Sequence, residues 1–217
     1  MPDLLTERLA LSPLIEEDAP AVFRLHNDAR TWRHFPMGRW TDPRQGEAFV
    51  RMSRGSFART GLGEYAVRLR GEGPLAGGVG VFAMAGPEDG AMGVVRDPPG
   101  EGEPAIPPHA LLNIGWRMAP EAWGRGLASE AAGAVAARAH EIWPSLALTA
   151  CVLSTNPASA AVCGHLGLSL RWSGLSGEAL RVRAWRPRVP GGESCVRWFF
   201  ADRDVAPALV AARVRGL

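Results

Sequence analysis

Residues 123–128, Trp-Gly-Arg-Gly-Leu-Ala, decide the fold of this chain. They follow an apolar segment at 111–118 and open into an alanine-rich run at 129–138. This order predicts a strand, a glycine loop and the N-terminus of a helix. Such a loop presents main-chain N–H groups without side chains in the way, at the positive end of a helix dipole. The stretch therefore predicts a binding site for a phosphate or a pyrophosphate.

The composition narrows the class of protein. A chain of 217 residues, of which 47% are hydrophobic, is long enough for one sizeable α/β domain and does not have the composition of a disordered protein. No run of about 18 apolar residues indicates a membrane span, and the first residues lack the pattern of a signal peptide. The net charge of +2 is too small to indicate nucleic-acid binding.

The cysteines indicate the compartment. Cys151, Cys163 and Cys195 are scattered and form no CxxC pair, which disfavours both a zinc site and a disulfide framework. We therefore expect no metal and a cytoplasmic location.

Hydrophobic periodicity predicts strands and helices over the first part of the chain. The strands are expected at 6–14, 63–70 and 75–83. The helices are expected at 16–28, with Asp18 as the N-cap, and from Pro43 to Gly61.

The region 84–108 interrupts this pattern. It contains six prolines, and its acidic residues outnumber its single base, Arg96. The absence of any hydrophobic period predicts an irregular insertion, which is either mobile or a flap over substrate. Because the next strand must pair with the earlier ones, we expect residues 1–217 to form a single domain.

The second half returns to regular elements. A strand at 110–118, a helix at 127–142 and a strand at 146–153 are expected. Asn156-Pro157 predicts a helix start, with Asn as the cap and Pro in the first turn, and Gly167 predicts its end. The remaining expected elements are strands at 169–173, 180–186 and 194–200 and a terminal helix at 204–214.

Three motifs carry a family resemblance. They are Trp-Gly-x-Gly-x-Ala at 123–128, Asn-x-x-Ser-x-x-Val-x-x-x-Leu-Gly at 156–167 and Thr-Glu-Arg-Leu at 6–9. In this order they resemble the GNAT superfamily of N-acetyltransferases, and most closely its branch of ribosomal-protein N-terminal acetyltransferases. The resemblance implies an α/β fold of the α+β type: a strongly twisted mixed sheet of about six to seven strands with helices on both faces. In this fold the sheet splays between its two central strands.

The resemblance also implies acetyl-CoA as the cofactor and direct transfer of its acetyl group to a primary amine. Trp116 and Met118 would line the pantetheine arm, and the Met118 N–H would polarise the thioester carbonyl. The main chain of residues 124–128 would hold the pyrophosphate. The implied cofactor-binding residues are Trp116, Met118, Trp123, Gly124, Arg125, Gly126, Leu127, Ala128, Ser129, Asn156 and Ser159.

Simpler roles remain open for several of these residues. Gly124 and Gly126 also suit an ordinary turn, and Asn156 caps a helix in any case. Ser159 also suits the first turn of that helix, and Arg125 also suits solvent.

Two positions depart from the family pattern. Cys163 stands where many members have a tyrosine that donates a proton to the leaving thiolate, and Asn113 stands where the branch often has glutamate. A thiol with a pKa of about 8.5 can donate a proton, although small buried thiols more often pack in cores. An amide cannot act as a base. The candidate catalytic residues are therefore Met118, Asn113 and Cys163, with His109 and His140 as further alternatives.

This departure favours an acceptor of low pKa. A lysine side chain, with a pKa of about 10.4, is far harder to deprotonate at pH 7 than an α-amine with a pKa of about 7.7–8.0. We therefore expect the α-amine of a peptide or a small molecule, with water carrying the proton. The sequence leaves open whether the protein is a monomer or a homodimer.

Other functions compete with this interpretation. One alternative is an acyl-CoA-binding module without transferase activity, which the missing Tyr and Glu suggest. Another is a dinucleotide-binding oxidoreductase, which Ser129 in place of a third glycine disfavours. A basic and aromatic cluster is interpreted as an ordinary strand pair rather than a nucleic-acid surface, and no membrane partner is expected. That cluster comprises Arg181, Arg183, Trp185, Arg186, Arg188, Arg197 and Trp198.

Overall fold

The computed structural model describes residues 3–71, 73–86, 90–97, 99–102, 104–107, 109–185, 189–215 and 217. Nine strands lie within these residues. They are β1 (Leu4–Leu5), β2 (Leu9–Pro13), β3 (Glu64–Leu69), β4 (Gly77–Ala85), β5 (Gly93–Val94), β6 (Leu111–Met118), β7 (Leu148–Leu153), β8 (Ser169–Gly174) and β9 (Arg197–Ala201).

Six α-helices accompany the strands in the same described ranges. They are α1 (Ala19–Asn27), α2 (Arg44–Thr60), α3 (Leu127–Ile142), α4 (Pro157–His165), α5 (Gly177–Ala184) and α6 (Pro207–Arg215). Short 3-10 turns precede α1 at Glu16–Asp18 and follow it at Ala29–Trp32 and Pro36–Gly38.

All nine strands belong to one mixed sheet. Its order is β1-β2-β3-β4-β6-β7-β9-β8, and β5 pairs with β4 off this path. Among the described strand pairs, β6 with β7 is parallel and the others are antiparallel. The sheet thus has more strands than the sequence predicted, because β1 and β5 are two-residue strands too short to show a period.

Helices cover both faces of this sheet, as predicted. Alternate residues of β3, β4 and β6, such as Val67, Val79 and Leu112, belong to the main core together with Ala132 and Val135 of α3. The opposite face of β3 presents Ala66 to Val22 of α1 and Val50 of α2. The α1 and α2 helices therefore lie on the opposite face from α3.

One predicted strand is wrong. Residues 180–186 were expected to form a strand, but Gly177–Ala184 is helix α5. The Ser176 side chain accepts a hydrogen bond from the Ala179 N–H at 3.2 Å and caps the helix. Ala179 and Val182 are buried with helical spacing, so tertiary packing selects the helix despite the alternating Arg and apolar residues.

The region 84–108 is more ordered than a bare loop. Strand β4 continues to Ala85, and β5 adds to its edge. Met92, Val95 and Ile106 are buried, and the Arg59 side chain of α2 donates to the Ala105 carbonyl at 2.8 Å. Residues 87–89, 98, 103 and 108 lie outside the described residues.

Of the helices within the described residues, none has the length and apolar character that a membrane span requires.

Candidate active site

The two central strands separate part-way along their length. Strand β6 pairs with β7 at Leu112↔Leu148 and Asn113↔Thr149, and the pairing among described residues stops there. On its other edge, β6 stays paired with β4 as far as Met118. The predicted splay is therefore confirmed, and we call the gap between residues 114–118 and 150–153 the wedge.

Main-chain donors of β6 point into the wedge. The Ala119 N–H donates to the Ala76 carbonyl at 2.8 Å on the β4 side, whereas the Leu112 N–H donates to the Ala147 carbonyl at 2.9 Å on the β7 side. Because these directions alternate along an antiparallel strand, the N–H groups of Ile114, Trp116 and Met118 face the wedge.

Two cavities open along the wedge. The larger cavity has a volume of about 540 Å³ and the smaller one about 320 Å³. Trp116, Arg117, Asn156 and Ser159 line both, so the two cavities share a wall. Ten of the predicted cofactor-binding residues line the larger cavity: Trp116, Met118, Trp123, Gly124, Gly126, Leu127, Ala128, Ser129, Asn156 and Ser159.

The glycine loop forms the mouth of the larger cavity. Gly124 has φ +71° and Gly126 has φ +73°, which is the left-handed region that side chains rarely adopt. Helix α3 begins at Leu127, and the Glu130 N–H donates to the Gly126 carbonyl at 3.1 Å. The N–H groups of residues 127–129 precede this donor and belong to the open end of the helix. The loop thus concentrates main-chain donors and the positive helix end, as an anion site requires.

The Thr-Glu-Arg-Leu motif supports this loop from behind. Thr6 Oγ1 donates to Glu130 Oε1 at 2.5 Å, and Arg8 Nε donates to Glu130 Oε2 at 2.6 Å. Arg8 Nη1 also donates to the Arg125 carbonyl at 2.8 Å. Although partial burial opposes it, these bonds hold the pKa of the Glu130 carboxyl below its usual range. The N-terminal segment therefore fixes the loop and the first turn of α3 together.

The second lip is the start of α4. The Asn156 side chain accepts a hydrogen bond from the Ser159 N–H at 3.1 Å, which is the predicted N-cap. On the opposite lip, Trp123 Nε1 donates to the Met118 carbonyl at 2.9 Å. That bond occupies the Met118 carbonyl, whereas the Met118 N–H faces the wedge.

Three predicted site residues are not among those that line the two cavities. The Arg125 side chain is exposed, and Arg8 holds its main-chain carbonyl. Asn113 lies on the face of β6 opposite to α3, where its Oδ1 accepts from Arg213 Nη2 of α6 at 3.1 Å. Cys163 is fully buried in the main core, and burial raises the pKa of its thiol to about 12. The structure thus brings neither Asn113 nor Cys163 to the walls of the two cavities formed by the described residues.

The histidine alternatives are also remote from the wedge. His140 Nε2 lies 2.9 Å from Asp202 Oδ2, which ties the end of α3 to the segment after β9. His109 precedes β6 with φ +61°. The His140 contact is thus a local structural one.

The segment after α1 supplies residues that the sequence analysis missed. Arg30, Thr31, Arg33 and His34 line the larger cavity. The Arg33 guanidinium carbon lies 4.9 Å from the centre of the Trp123 ring, which places a positive charge at the cavity rim. The run Thr-Trp-Arg-His-Phe at 31–35 was the available signal, but nothing in its spacing relates it to the glycine loop.

Arg117 links this segment to β6. Its guanidinium carbon lies 3.7 Å from the centre of the Trp32 ring, and its Nη1 donates to the Thr31 carbonyl at 2.6 Å. Burial lowers the pKa of Arg117 to about 10, although Glu64 opposes the shift. The residue is still charged at neutral pH and holds the Ala29–Trp32 turn against the cavities.

The smaller cavity contains an acid that the sequence analysis also missed. Glu178 of α5 is the carboxylate among its described lining residues, and it forms an ion pair with the buried Arg197 of β9. Nothing in the sequence analysis singled out Glu178, which lies just before the segment 180–186 that was expected to be a strand.

The described arginines of the basic and aromatic cluster contact other parts of the protein. Arg183 donates from Nε to the Cys195 carbonyl at 2.7 Å, and Arg197 is buried. Arg181 lies over the Phe35 ring. These arginines make internal contacts, whereas Arg186 and Arg188 lie outside the described residues.

Comparison with known proteins identifies a matching family. Residues 8–169 match the family described as an acetyltransferase (GNAT) domain. The GNAT-family acetyltransferase from Bacillus anthracis is 20% identical over 92% of this chain and 97% of that chain, with a TM-score of 0.62. RimL, a ribosomal L7/L12 α-N-protein acetyltransferase in complex with coenzyme A, is 16% identical over 94% and 100%, with a TM-score of 0.63.

A third structure is similar to the same extent. MccE, a microcin C7 self-immunity acetyltransferase in complex with acetyl-CoA and AMP, is 12% identical over 90% of this chain and 92% of that chain, with a TM-score of 0.60. These likenesses show the fold. The dinucleotide-binding alternative is wrong, because that fold needs a mostly parallel sheet and this one is mostly antiparallel.

Proposed function

Because this chain belongs to the GNAT acetyltransferase family and is an acetyl-CoA-dependent N-acyltransferase, we propose that it acetylates an α-amine. The acceptor is the amine of a peptide or of a small molecule, and it attacks the thioester directly in a ternary complex. The observation that carries the proposal is the wedge, with a glycine loop and a helix N-terminus at its mouth.

The residues present fit the acyl donor. The main chain of residues 124–128 offers several N–H donors to a diphosphate, and the positive end of α3 adds to their attraction. A Cβ at Gly124 would meet nothing within 4 Å, so the loop surface is open to a ligand. Arg33 at the rim adds a cationic side chain.

The inner wedge fits the arm that carries the acyl group. The N–H groups of Ile114, Trp116 and Met118 face it and can pair with amide carbonyls as a neighbouring strand would. The Met118 N–H is our candidate for polarising the thioester carbonyl, since charge developing on that oxygen is stabilised by a fixed donor. Bound acetyl-CoA supplies the activated acetyl group, and the protein positions the thioester carbonyl and the sulfur that leaves.

The start of α4 is placed to favour departure of the thiolate. Asn156 and Ser159 line both cavities, and the N-terminus of the helix contributes positive potential to the wedge. We assign no proton-donor role to Cys163, because its thiol packs in the core.

An acceptor screen tests this proposal. Acetyl-CoA is incubated with peptides bearing free N-terminal amines, with Nα-blocked lysine peptides and with small amines, and free thiol is measured. We expect turnover with α-amines and little with lysine side chains. Efficient acetylation of internal lysines would contradict the acceptor class. Tight binding of acetyl-CoA in calorimetry without turnover on any amine would instead indicate a binding module.

A further inference from the structure

An acidic side chain on β3 lies close to the wedge without lining it. Glu64 is buried, 8% exposed, and its main-chain N–H donates to Ser53 Oγ of α2 at 2.8 Å. It lies on the sheet face that carries α1 and α2, because Ala66, two residues further along β3, packs against those helices. This is the face opposite to α3.

Two glycines of β4 make room for the Glu64 carboxyl group. A Cβ at Gly78 would lie 2.5 Å from Oε1, and a Cβ at Gly80 would overlap Oε2. Any side chain at these positions would displace the carboxyl group. The carboxyl group therefore lies over β4, in the direction of β6, and not over its own strand β3.

Three residues paired across β3, β4 and β6 connect Glu64 to the smaller cavity. Glu64 pairs with Gly80, and Gly80 pairs with Gly115 of β6. Residues paired in this way share one face of the sheet. Gly115 is exposed, lines the smaller cavity, and has open space where a Cβ would stand. Since strands lie about 4.8 Å apart, one water molecule spans the distance from the carboxyl group to the space above Gly115.

The Glu64 carboxyl is buried, and Arg117 is the charged group that acts on it. Burial raises its pKa to about 8, and Arg117 of β6, which pairs with Gly78, opposes that shift. On α1, burial and Arg117 lower the pKa of His26 to about 3, so His26 is neutral at pH 7. On β3 itself, Arg68 is paired with Asp18. Phe49 of α2 and Phe82 of β4 pack together on the same face, with ring centres 6.3 Å apart.

We propose that Glu64 accepts, through a water molecule above Gly115, the proton that the acceptor amine loses during acetyl transfer. This inference rests on the proposed function. The missing base at Asn113 of β6 is then replaced from β3, two strands away, because Gly78 and Gly80 of the intervening β4 have no side chains to block the carboxylate.

The neutral amine attacks the thioester carbon, a C–N bond forms, and the C–S bond breaks to release the thiolate of coenzyme A. The nitrogen gives up one proton to the water, and the water passes a proton to the Glu64 carboxylate, which becomes a neutral acid. That acid then returns the proton to solvent or to the thiolate. A carboxyl whose pKa matches that of an α-amine exchanges a proton with it at little cost.

The test compares Glu64→Gln and Glu64→Asp with Glu47→Gln, an exposed acid on α2 that serves as the matched control. Each protein is assayed with the preferred peptide amine and with trifluoroethylamine, a weakly basic amine that is neutral throughout the pH range of the assay. Acetyl-CoA affinity is measured by calorimetry and folding by thermal melting. Because trifluoroethylamine does not titrate in this range, any pH dependence belongs to the enzyme.

We expect kcat of the wild type to rise with pH through about 8 and then to level. Glu64→Gln is expected to lose this rise and on the order of 10²-fold in kcat, with acetyl-CoA affinity unchanged. Glu64→Asp keeps the rise at a lower plateau, and Glu47→Gln behaves as the wild type.

Two results overturn the inference alone. One is an active wild type whose Glu64→Gln variant retains the rate and the pH profile. The other is loss of the pH-dependent rise in Glu178→Gln but not in Glu64→Gln. A wild type that binds acetyl-CoA and acetylates no amine would instead contradict the proposed function, and this inference with it.

Discussion

The two sides of the wedge are built from different parts of the chain. The mouth, at residues 123–129, is a continuous main-chain structure made by a glycine loop and a helix end. The inner side opposite α3 is an assembly of side chains from β3, β6, α5 and the segment after α1. A site made of backbone therefore leaves a contiguous motif in the sequence, whereas a site made of distant side chains leaves none.

The largest effect is expected from the backbone of the mouth. Gly126→Val places a β-branched residue at φ +73°, a conformation that costs about 1–3 kcal/mol unless the loop rearranges. We expect the Kd for acetyl-CoA to rise by about 10²-fold in calorimetry.

The control for this variant is Gly133→Val in the same helix, where a Cβ meets nothing within 4 Å and φ is ordinary. It should bind acetyl-CoA as the wild type does. Equal acetyl-CoA affinities for the two variants would show that the loop is not part of the binding site.

A smaller effect is expected from the support behind the loop. Glu130→Gln removes the charge that engages Thr6 and Arg8 while keeping the side-chain shape. Charge-assisted hydrogen bonds contribute about 1.5–3 kcal/mol, and partial exposure of Arg8 reduces this, so we expect about a tenfold weaker Kd for acetyl-CoA. Glu141→Gln, which breaks the exposed Arg138–Glu141 pair further along α3, should leave the Kd unchanged. A similar loss in both variants would argue against a specific role for the N-terminal motif.

The pH dependence of stability tests the inner side of the wedge, which is built from side chains. The pKa of Glu64 is raised in the fold, from 4.5 to about 8, so the native state holds a proton that the unfolded state releases. Its contribution to stability is therefore complete below pH 4.5 and is lost as pH rises to about 8.

We expect the Tm of the wild type to fall by a few degrees more than that of Glu64→Gln between pH 5 and pH 9. His26 titrates in the same way in both proteins, so its effect cancels. Parallel Tm curves over this range would show that Glu64 is not held as a neutral acid.

The smallest effect on activity is expected at Cys163. Because its side chain is fully buried in the core, Cys163→Ala should lower stability by about 1 kcal/mol and change kcat by less than about twofold. Thermal melting and the thiol-release assay measure the two quantities. A large loss of kcat in a folded Cys163→Ala protein would restore its candidacy as a proton donor.

Much of the fold was predictable because it rests on local patterns. Asn156-Pro157 predicted the cap and first turn of α4, and the strand, loop and helix order predicted β6, the glycine loop and α3. The error at 180–186 has a physical cause, since the Ser176 cap and the burial of Ala179 and Val182 overrode a weak alternating pattern.

The inner part of the site was not predictable in the same way. Glu64 follows Gly63 at the start of a strand, and only the register with Gly80 and Gly115 relates it to the wedge. Glu178 reaches the smaller cavity because α5 is a helix. Asn113 was selected from a family position, yet its side chain contacts Arg213 of α6 and lines neither of the two cavities formed by the described residues.

Amide NMR of the ¹⁵N-labelled protein titrated with coenzyme A tests most directly whether the wedge and the glycine loop bind the cofactor. We expect the largest shift changes at the N–H groups of residues 124–128 and at those of Ile114, Trp116 and Met118. Tight binding that leaves these amides unchanged and perturbs another surface, such as the groove between β8, α5 and α6, would contradict this expectation.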